Sequence, residues 1–237
     1  MFARLLPRLR YVPIRRLRNA AIALIFTASP VFVAALPAIF AAQPTFAKPH
    51  TLLALGDSLT AGYGLAQGEG LVPQLQDWLL AEGESVTILN AGVSGDTTAG
   101  GAARLEWSLT PEVDAMIVAL GGNDLLRGIN PATSRANLEK ILAAAAAKNL
   151  PVLLIGLTAP ANYGPAFKAE FDAIYPDLAA KYGALLVPSF FAPLQNERGT
   201  LAAFMQLDGI HPNAAGVVRI VAAIGPQARA LLQSLPN

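Results

Sequence analysis

Short apolar runs alternate with segments of helical periodicity from residue 50 to the end of the chain. Five runs have the length and flanking residues of buried strands: Thr51–Leu55, Ser85–Leu89, Ala115–Leu120, Val152–Leu157 and Leu185–Val187. Helical spacing predicts helices over Leu71–Glu82, Thr98–Leu109, Ser134–Lys148, Pro165–Tyr182 and from Pro212 to about Leu235. Apolar strands separated by helices predict a parallel sheet with helices on both faces. The pattern therefore predicts one three-layer α/β domain.

The first 47 residues have a different pattern. They hold six arginines and no acidic residue, and an almost uncharged apolar run covers residues 20–42. Small residues at and before Ala47 match the positions that a signal peptidase reads, so residues 1–47 predict a cleaved export signal. A retained membrane anchor is the alternative, because about 20 apolar residues can span a bilayer. Two prolines interrupt the run, which favours cleavage and a periplasmic or secreted domain over residues 48–237 with no membrane span.

Charge and cysteine content exclude several classes of function. The whole chain has 17 basic and 16 acidic residues, and removing the six N-terminal arginines leaves 11 basic and 16 acidic, a net charge of −5. An acidic domain has no electrostatic basis for binding nucleic acid. The chain has no cysteine, so disulfides, thiolate metal sites and a cysteine nucleophile are excluded.

Three polar motifs follow three consecutive predicted strands. Gly56-Asp57-Ser58-Leu59 follows the first strand, Ser94-Gly95-Asp96 the second and Gly121-Gly122-Asn123-Asp124 the third. Ligands of open α/β sheets bind at the carboxyl ends of the strands. The placement therefore predicts a functional site at this edge of the sheet.

A fourth motif, Asp208-Gly209-Ile210-His211, precedes the last predicted helix. The Asp208 carboxylate can accept from Nδ1 of His211 and leave Nε2 free to take a proton from a serine. The other histidine, His50, adjoins the predicted cleavage site. Each part has a structural alternative, because Asp208 and Ser58 can simply cap helices and His211 can be a surface side chain. Taken together, they predict Ser58 as nucleophile, His211 as base and Asp208 as its partner.

Acyl transfer also needs hydrogen-bond donors for the developing oxyanion. The backbone N–H groups of Ser58 and Gly95 and the side-chain amide of Asn123 are the candidates, although an Asn-Asp pair is also typical of turns and caps. We interpret Asp57, Asp96 and Asp124 as structural residues that cap and orient the loops.

The complete motif set resembles the GDSL or SGNH hydrolase family. Three longer segments, Leu53–Tyr63, Asn90–Thr97 and Ala161–Gly164, resemble its periplasmic thioesterase I, lysophospholipase L1 and arylesterase branch. The resemblance implies a flavodoxin-like fold with a five-stranded, mainly parallel sheet. It implies the roles given above for Ser58, Asp208 and His211, and an oxyanion hole of Ser58, Gly95 and Asn123. It further implies a serine esterase acting on carboxylic esters and acyl thioesters without a metal or other cofactor.

Four apolar segments are expected to line the cleft: Leu125–Pro131, Ala159–Pro165, Phe190–Leu194 and Met205–Leu207. They predict a small-molecule acyl or aryl ester or thioester as the substrate, with Asn162 and Tyr163 as substrate-binding residues. Alternatively, these side chains only pack the loops onto the sheet.

Three other functions are compatible with the same fold. An envelope carbohydrate O-deacetylase would share the mechanism, and an inactive scaffold would lack it. A binding module would use its glycine loops to hold a phosphate, but no Gly-x-Gly-x-x-Gly or P-loop motif follows the first strand.

Overall fold

A computed structural model of the protein describes residues 48–195 and 201–236, so the predicted signal segment lies outside the described residues. The five strands are β1 His50–Gly56, β2 Val86–Gly92, β3 Ala115–Ala119, β4 Val152–Ile155 and β5 Leu185–Val187. They form one sheet in the order β2-β1-β3-β4-β5, and every pairing is parallel. This is the flavodoxin-like strand order, so the predicted fold class is confirmed.

In the part of the chain that the structure describes, eight α-helices connect and flank the strands: α1 Ser58–Ala61, α2 Leu71–Ala81, α3 Thr98–Ser108, α4 Gly122–Leu126, α5 Pro131–Ala147, α6 Pro165–Asp172, α7 Ile174–Tyr182 and α8 Ala214–Gln233. Helices α2 and α8 pack against each other, and α3, α5 and α7 form the second group. The strands between these groups are apolar and buried, with Leu52, Leu55 and Met116 fully inaccessible. The core therefore holds the sheet rigid beneath the loops at its carboxyl edge.

The helix predicted over Pro165–Tyr182 is wrong as a single element, because it is divided at Ala173 into α6 and α7. Pro176 explains the break. It has no N–H to donate to the carbonyl of Asp172, and its ring would clash with that carbonyl in a continuous helix. A proline is tolerated in the first turn of a new helix, where the N–H groups have no helical partner.

Helix α8 is the one helix among the described residues that is long and apolar enough to cross a membrane. Half of its most apolar window is buried within the protein. Its inward residues Val217, Ile220 and Ile224 belong to the hydrophobic core. This burial is typical of the core helix of a globular domain.

Candidate active site

The turn after β1 presents Ser58 at the carboxyl edge of the sheet. Ser58 is the first residue of α1, and Asp57 caps this helix by accepting the Leu59 N–H at 3.0 Å. A Cβ at Gly56 would lie 1.9 Å from Oγ1 of Thr60, so the turn closes tightly only around a glycine. Oγ of Ser58 lies 2.8 Å from Nε2 of His211.

Asp208 holds His211 in a fixed orientation. Its Oδ2 lies 2.7 Å from Nδ1 of His211, while Oδ1 accepts the N–H groups of Ile210 at 2.9 Å and of His211 at 3.0 Å. The backbone N–H of His211, its ring and the N–H of Ile210 lower the pKa of Asp208 to about 2. The carboxylate is therefore charged at neutral pH and can stabilise an imidazolium. The structure thus brings Ser58, His211 and Asp208 together in one hydrogen-bonded chain.

Two residues to which the sequence analysis assigned no individual role contact His211. The ring of Tyr63 packs against that of His211 in a tilted arrangement, with centroids 4.6 Å apart and an angle of 39° between the planes. Gln206 donates its backbone N–H to the carbonyl of His211 at 2.7 Å. Gln206 lies in the predicted cleft segment Met205–Leu207 and Tyr63 ends the segment Leu53–Tyr63, but the contacts of both residues with His211 depend on the tertiary structure.

The three predicted oxyanion donors differ in their surroundings. Nδ2 of Asn123 donates to the carbonyl of Asp96 at 2.9 Å and is 3.5 Å from Oδ2 of Asp57. One N–H of the Asn123 amide therefore makes a normal hydrogen bond, and the other makes only a long, weak one. Within residues 48–195 and 201–236, the N–H groups of Ser58 and Gly95 donate to no protein group.

Gly95 has a φ of +86°, in the region that favours glycine. Its carbonyl accepts from the Arg127 guanidinium at 2.9 Å. A cavity opens beside Ser58. Ser58 and Asn123 line this cavity, whereas Gly95 does not.

The aspartates interpreted as structural make dense contacts with the scaffold. Oδ1 of Asp124 accepts from the hydroxyls of Thr98 at 2.6 Å and Ser134 at 2.8 Å, and Oδ2 accepts the Thr98 N–H at 2.8 Å. Asp96 pairs with Arg104 at 2.6 Å. Among the described residues, no group of three or more His, Asp or Glu side chains could hold a metal ion.

Asp57, like Asp124, is buried without a cationic side-chain partner among the described residues, but its carboxylate accepts only the Leu59 N–H at 3.0 Å and a long contact from the Asn123 amide at 3.5 Å. Burial raises the pKa of its carboxyl from 3.8 to about 6, against the lowering effect of the Leu59 N–H. The carboxyl is protonated in both states below about pH 4. Between about pH 4 and 6 the unfolded chain loses the proton while the folded chain retains it. The free energy of unfolding therefore falls as pH rises through this window, by about 3 kcal/mol in total.

Asp57→Asn is expected to remove this contribution, because asparagine can still cap α1 but does not titrate. Urea unfolding at pH 4, 5, 6 and 7 measures the effect. Relative to the natural chain, the variant should gain about 2.5 kcal/mol between pH 4 and 7, slightly less than the total because the unfolded carboxyl is already partly ionised at pH 4. Asp77→Asn makes the same change at an exposed position of α2 and should follow the natural chain. If the free energy of unfolding depended on pH in the same way in Asp57→Asn and the natural chain, the raised pKa of Asp57 would be contradicted.

A cavity of about 430 Å³ opens beside Ser58. All four segments predicted to line the cleft contribute to it, through residues that include Leu125, Phe191 and Met205. Asn162 and Tyr163, predicted to bind substrate, also lie in its wall. The sequence analysis missed other lining residues, among them Leu157, Leu201 and Ile210, which flank those segments and carry no polar signal.

Residues 54–218 match the GDSL-like lipase/acylhydrolase family. The esterase TesA of Pseudomonas aeruginosa is 41% identical over 187 residues, which cover 78% of this chain and 91% of that protein. Thioesterase 1/protease 1/lysophospholipase L1 of Escherichia coli K12 is 39% identical over 182 residues, with coverages of 75% and 84%. The crystal structure of AlinE4, an SGNH-hydrolase family esterase, is 42% identical with a TM-score of 0.65, and the match covers 81% of this chain and 100% of that one.

Proposed function

The chain belongs to the GDSL-like lipase/acylhydrolase family, and we propose that it hydrolyses carboxylic esters and acyl thioesters through an acyl-enzyme on Ser58. One observation carries the proposal. Oγ of Ser58, the ring of His211 and the carboxylate of Asp208 are joined by hydrogen bonds of 2.8 and 2.7 Å. A serine is a weak nucleophile unless an adjacent base takes its proton, and the base needs a third group to orient it.

Acylation begins when Ser58 Oγ attacks the carbonyl carbon and its proton passes to Nε2 of His211. The Ser58 and Gly95 N–H groups and the Asn123 amide stabilise the tetrahedral oxyanion. The intermediate collapses when the bond between the carbonyl carbon and the alcohol or thiol breaks. The imidazolium then returns its proton to this leaving group, and the acyl group remains on Ser58.

Deacylation repeats the steps with water. His211 takes a proton from the water as its oxygen attacks the acyl carbon. The oxyanion of this second tetrahedral intermediate accepts hydrogen bonds from the same three donors. Collapse breaks the bond to Oγ, and Ser58 regains its proton from the imidazolium. The products are a carboxylic acid and the free enzyme.

The cavity supports an acyl or aryl group as the part of the substrate that is bound. Its wall is dominated by aliphatic and aromatic side chains such as Leu126, Leu157 and Phe191. Apolar surface favours an apolar guest, and a sugar would lose hydrogen bonds to water there without replacement. The lining therefore supports ester and thioester hydrolysis over carbohydrate deacetylation. Asn162 and Tyr163 are the proposed substrate-binding residues at the cavity wall.

Tyr163→Ala is expected to shift the acyl-chain preference toward longer chains. Tyr163 packs on Phe167 with ring centroids 4.7 Å apart and donates its hydroxyl to the carbonyl of Leu125 at 2.6 Å, so its removal widens the cavity. The ratio of kcat/KM for p-nitrophenyl decanoate to that for the butyrate should rise about tenfold. Tyr182→Ala removes a tyrosine hydrogen-bonded to Glu139 on another part of the surface and should leave the ratio unchanged. An unchanged ratio in Tyr163→Ala would remove Tyr163 from the binding site.

Export of the domain is part of the proposal. The arginines and apolar run of residues 1–47, with small residues at and before Ala47, support cleavage after Ala47. The intact mass of the protein recovered from a bacterial periplasm or medium tests it. A mass corresponding to Lys48–Asn237 is expected, whereas recovery of the full chain in the membrane fraction would indicate a retained anchor.

Labelling with a fluorophosphonate probe tests the nucleophile directly. The probe forms a stable bond only with an activated serine, so mass mapping should place the adduct on Ser58. His211→Ala should abolish the label, because the proton acceptor is lost. Ser108→Ala removes another half-buried serine, at the end of α3, and should label normally. A folded protein that takes no label would overturn the proposed mechanism.

A further inference from the structure

The proposed nucleophile and base come from distant parts of the chain. Ser58 begins α1, whereas His211 lies in the loop before α8. This loop is a small hairpin, in which Met205 and Pro212 form an antiparallel bridge and Asn213 donates its N–H to Phe204 at 2.8 Å. The geometry of the site depends on how this hairpin is held against the end of α1.

The side chain of Gln206 connects the two elements. Its Nε2 donates to the carbonyl of Tyr63 at 2.8 Å and to the carbonyl of Pro212 at 3.0 Å. Tyr63 directly follows Gly62, the C-cap of α1, and Pro212 directly follows His211. One amide group therefore ties the end of the helix that begins with Ser58 to the residue next to His211.

Gly64 gives independent evidence of a close fit at this contact. A Cβ at this position would lie 2.2 Å from Oε1 of Gln206, and Gly64 has a φ of +73°. Any larger residue at position 64 would displace the Gln206 amide. Only glycine at position 64 leaves room for the Gln206 side chain and readily adopts this backbone conformation. Gly64 therefore allows the bond from Gln206 to the Tyr63 carbonyl.

We propose that Gln206 is a positioning residue, whose amide fixes the distance between Ser58 and His211 by joining Tyr63 to Pro212. The inference rests on the proposed function of Ser58 and His211. Gln206 also donates its backbone N–H to the His211 carbonyl, and the ring of Tyr63 packs at a tilt against that of His211. Loss of the amide frees Tyr63 and Pro212 to move apart, and the imidazole between them can then shift away from Oγ of Ser58. Proton transfer is sensitive to such a displacement, because misplacement by about 1 Å can lower a rate about 100-fold.

Gln206→Met tests the inference, since methionine has similar length and no donor. The kcat for p-nitrophenyl butyrate should fall about tenfold with KM nearly unchanged, because the loss affects the chemical step. Gln74→Met is the matched control. Nε2 of Gln74 donates to the carbonyl of Glu69 at 2.7 Å in another loop, so this variant loses a similar bond and should retain full kcat.

A double-mutant cycle separates positioning from a merely structural role. In a His211→Ala background, Gln206→Met should lower the residual rate less than twofold, because there is no imidazole left to position. An equal loss with and without His211, or a kcat for Gln206→Met within twofold of the natural chain, would overturn the inference.

A second variant covers the case in which Gln206→Met does not fold. Gln206→Asn keeps both donors but is one methylene shorter, and it should also lower kcat with KM nearly unchanged. Full kcat in this variant would count against the inference. The failure of the proposed function is recognised separately, because Ser58→Ala would then turn over the ester as fast as the natural chain.

Discussion

Replacing His211 with alanine is expected to lower the kcat of ester hydrolysis by about 10⁴–10⁶-fold. The alanine variant leaves Oγ of Ser58 without the acceptor that lies 2.8 Å away, so the hydroxyl must attack while still protonated. Its fold should be retained because the main-chain hydrogen bonds of position 211 persist, with a loss of about 1 kcal/mol of unfolding free energy for the side-chain bond to Asp208. Initial rates with p-nitrophenyl butyrate, followed beside a thermal melt, measure both effects.

Ser58→Ala and the double variant Ser58→Ala/His211→Ala test whether the two residues act together. Residues that act as one unit have non-additive effects, so both should lose about as much kcat as His211→Ala alone. His50→Ala is the matched control, since this half-buried histidine begins β1, at the opposite end of the strand from Ser58. Multiplying losses in the double variant, or a similar loss in His50→Ala, would mean that Ser58 and His211 do not act together.

Much of the fold was predictable because buried parallel strands have a simple signature. The runs that begin at Ala115 and Val152 are uninterrupted apolar sequence, and both are fully buried in the sheet. Helices α1 and α4 were not predicted, because four or five residues are too few to show a helical period. The division of α6 from α7 is predictable from Pro176, because a proline interrupts a helix even where the apolar periodicity continues.

The site was predictable only where its residues stand in motifs. Asp208 and His211 are three positions apart, so their contact is local and the spacing reveals it. The bond between Gln206 and the carbonyl of Tyr63 joins positions 143 residues apart, and one of its partners is a main-chain atom. Any residue supplies such a carbonyl, so no side-chain pattern could indicate it. The same reason kept the contact between Arg127 and the Gly95 carbonyl out of the sequence analysis.

Asn123→Ala is expected to lower kcat by about 10²–10³-fold with little change in KM. The amide of Asn123, which lines the cavity, is oriented by its 2.9 Å bond to the Asp96 carbonyl, and its second N–H makes only a long contact, 3.5 Å, with Oδ2 of Asp57. We expect this donor to bond most strongly to the charged oxygen of the tetrahedral intermediate. Its loss therefore raises the barrier to the chemical step more than it weakens substrate binding.

Asn130→Ala is the control that separates this effect from loss of a helix cap. Asn130 caps α5 by accepting the Ala132 N–H at 2.9 Å, so the variant should lose about 1 kcal/mol of unfolding free energy and retain its kcat. If Asn123→Ala instead kept kcat within about threefold, the backbone N–H groups of Ser58 and Gly95 would have to stabilise the oxyanion alone. A rise in KM at constant kcat would assign Asn123 to substrate binding, because only interactions stronger in the transition state change kcat.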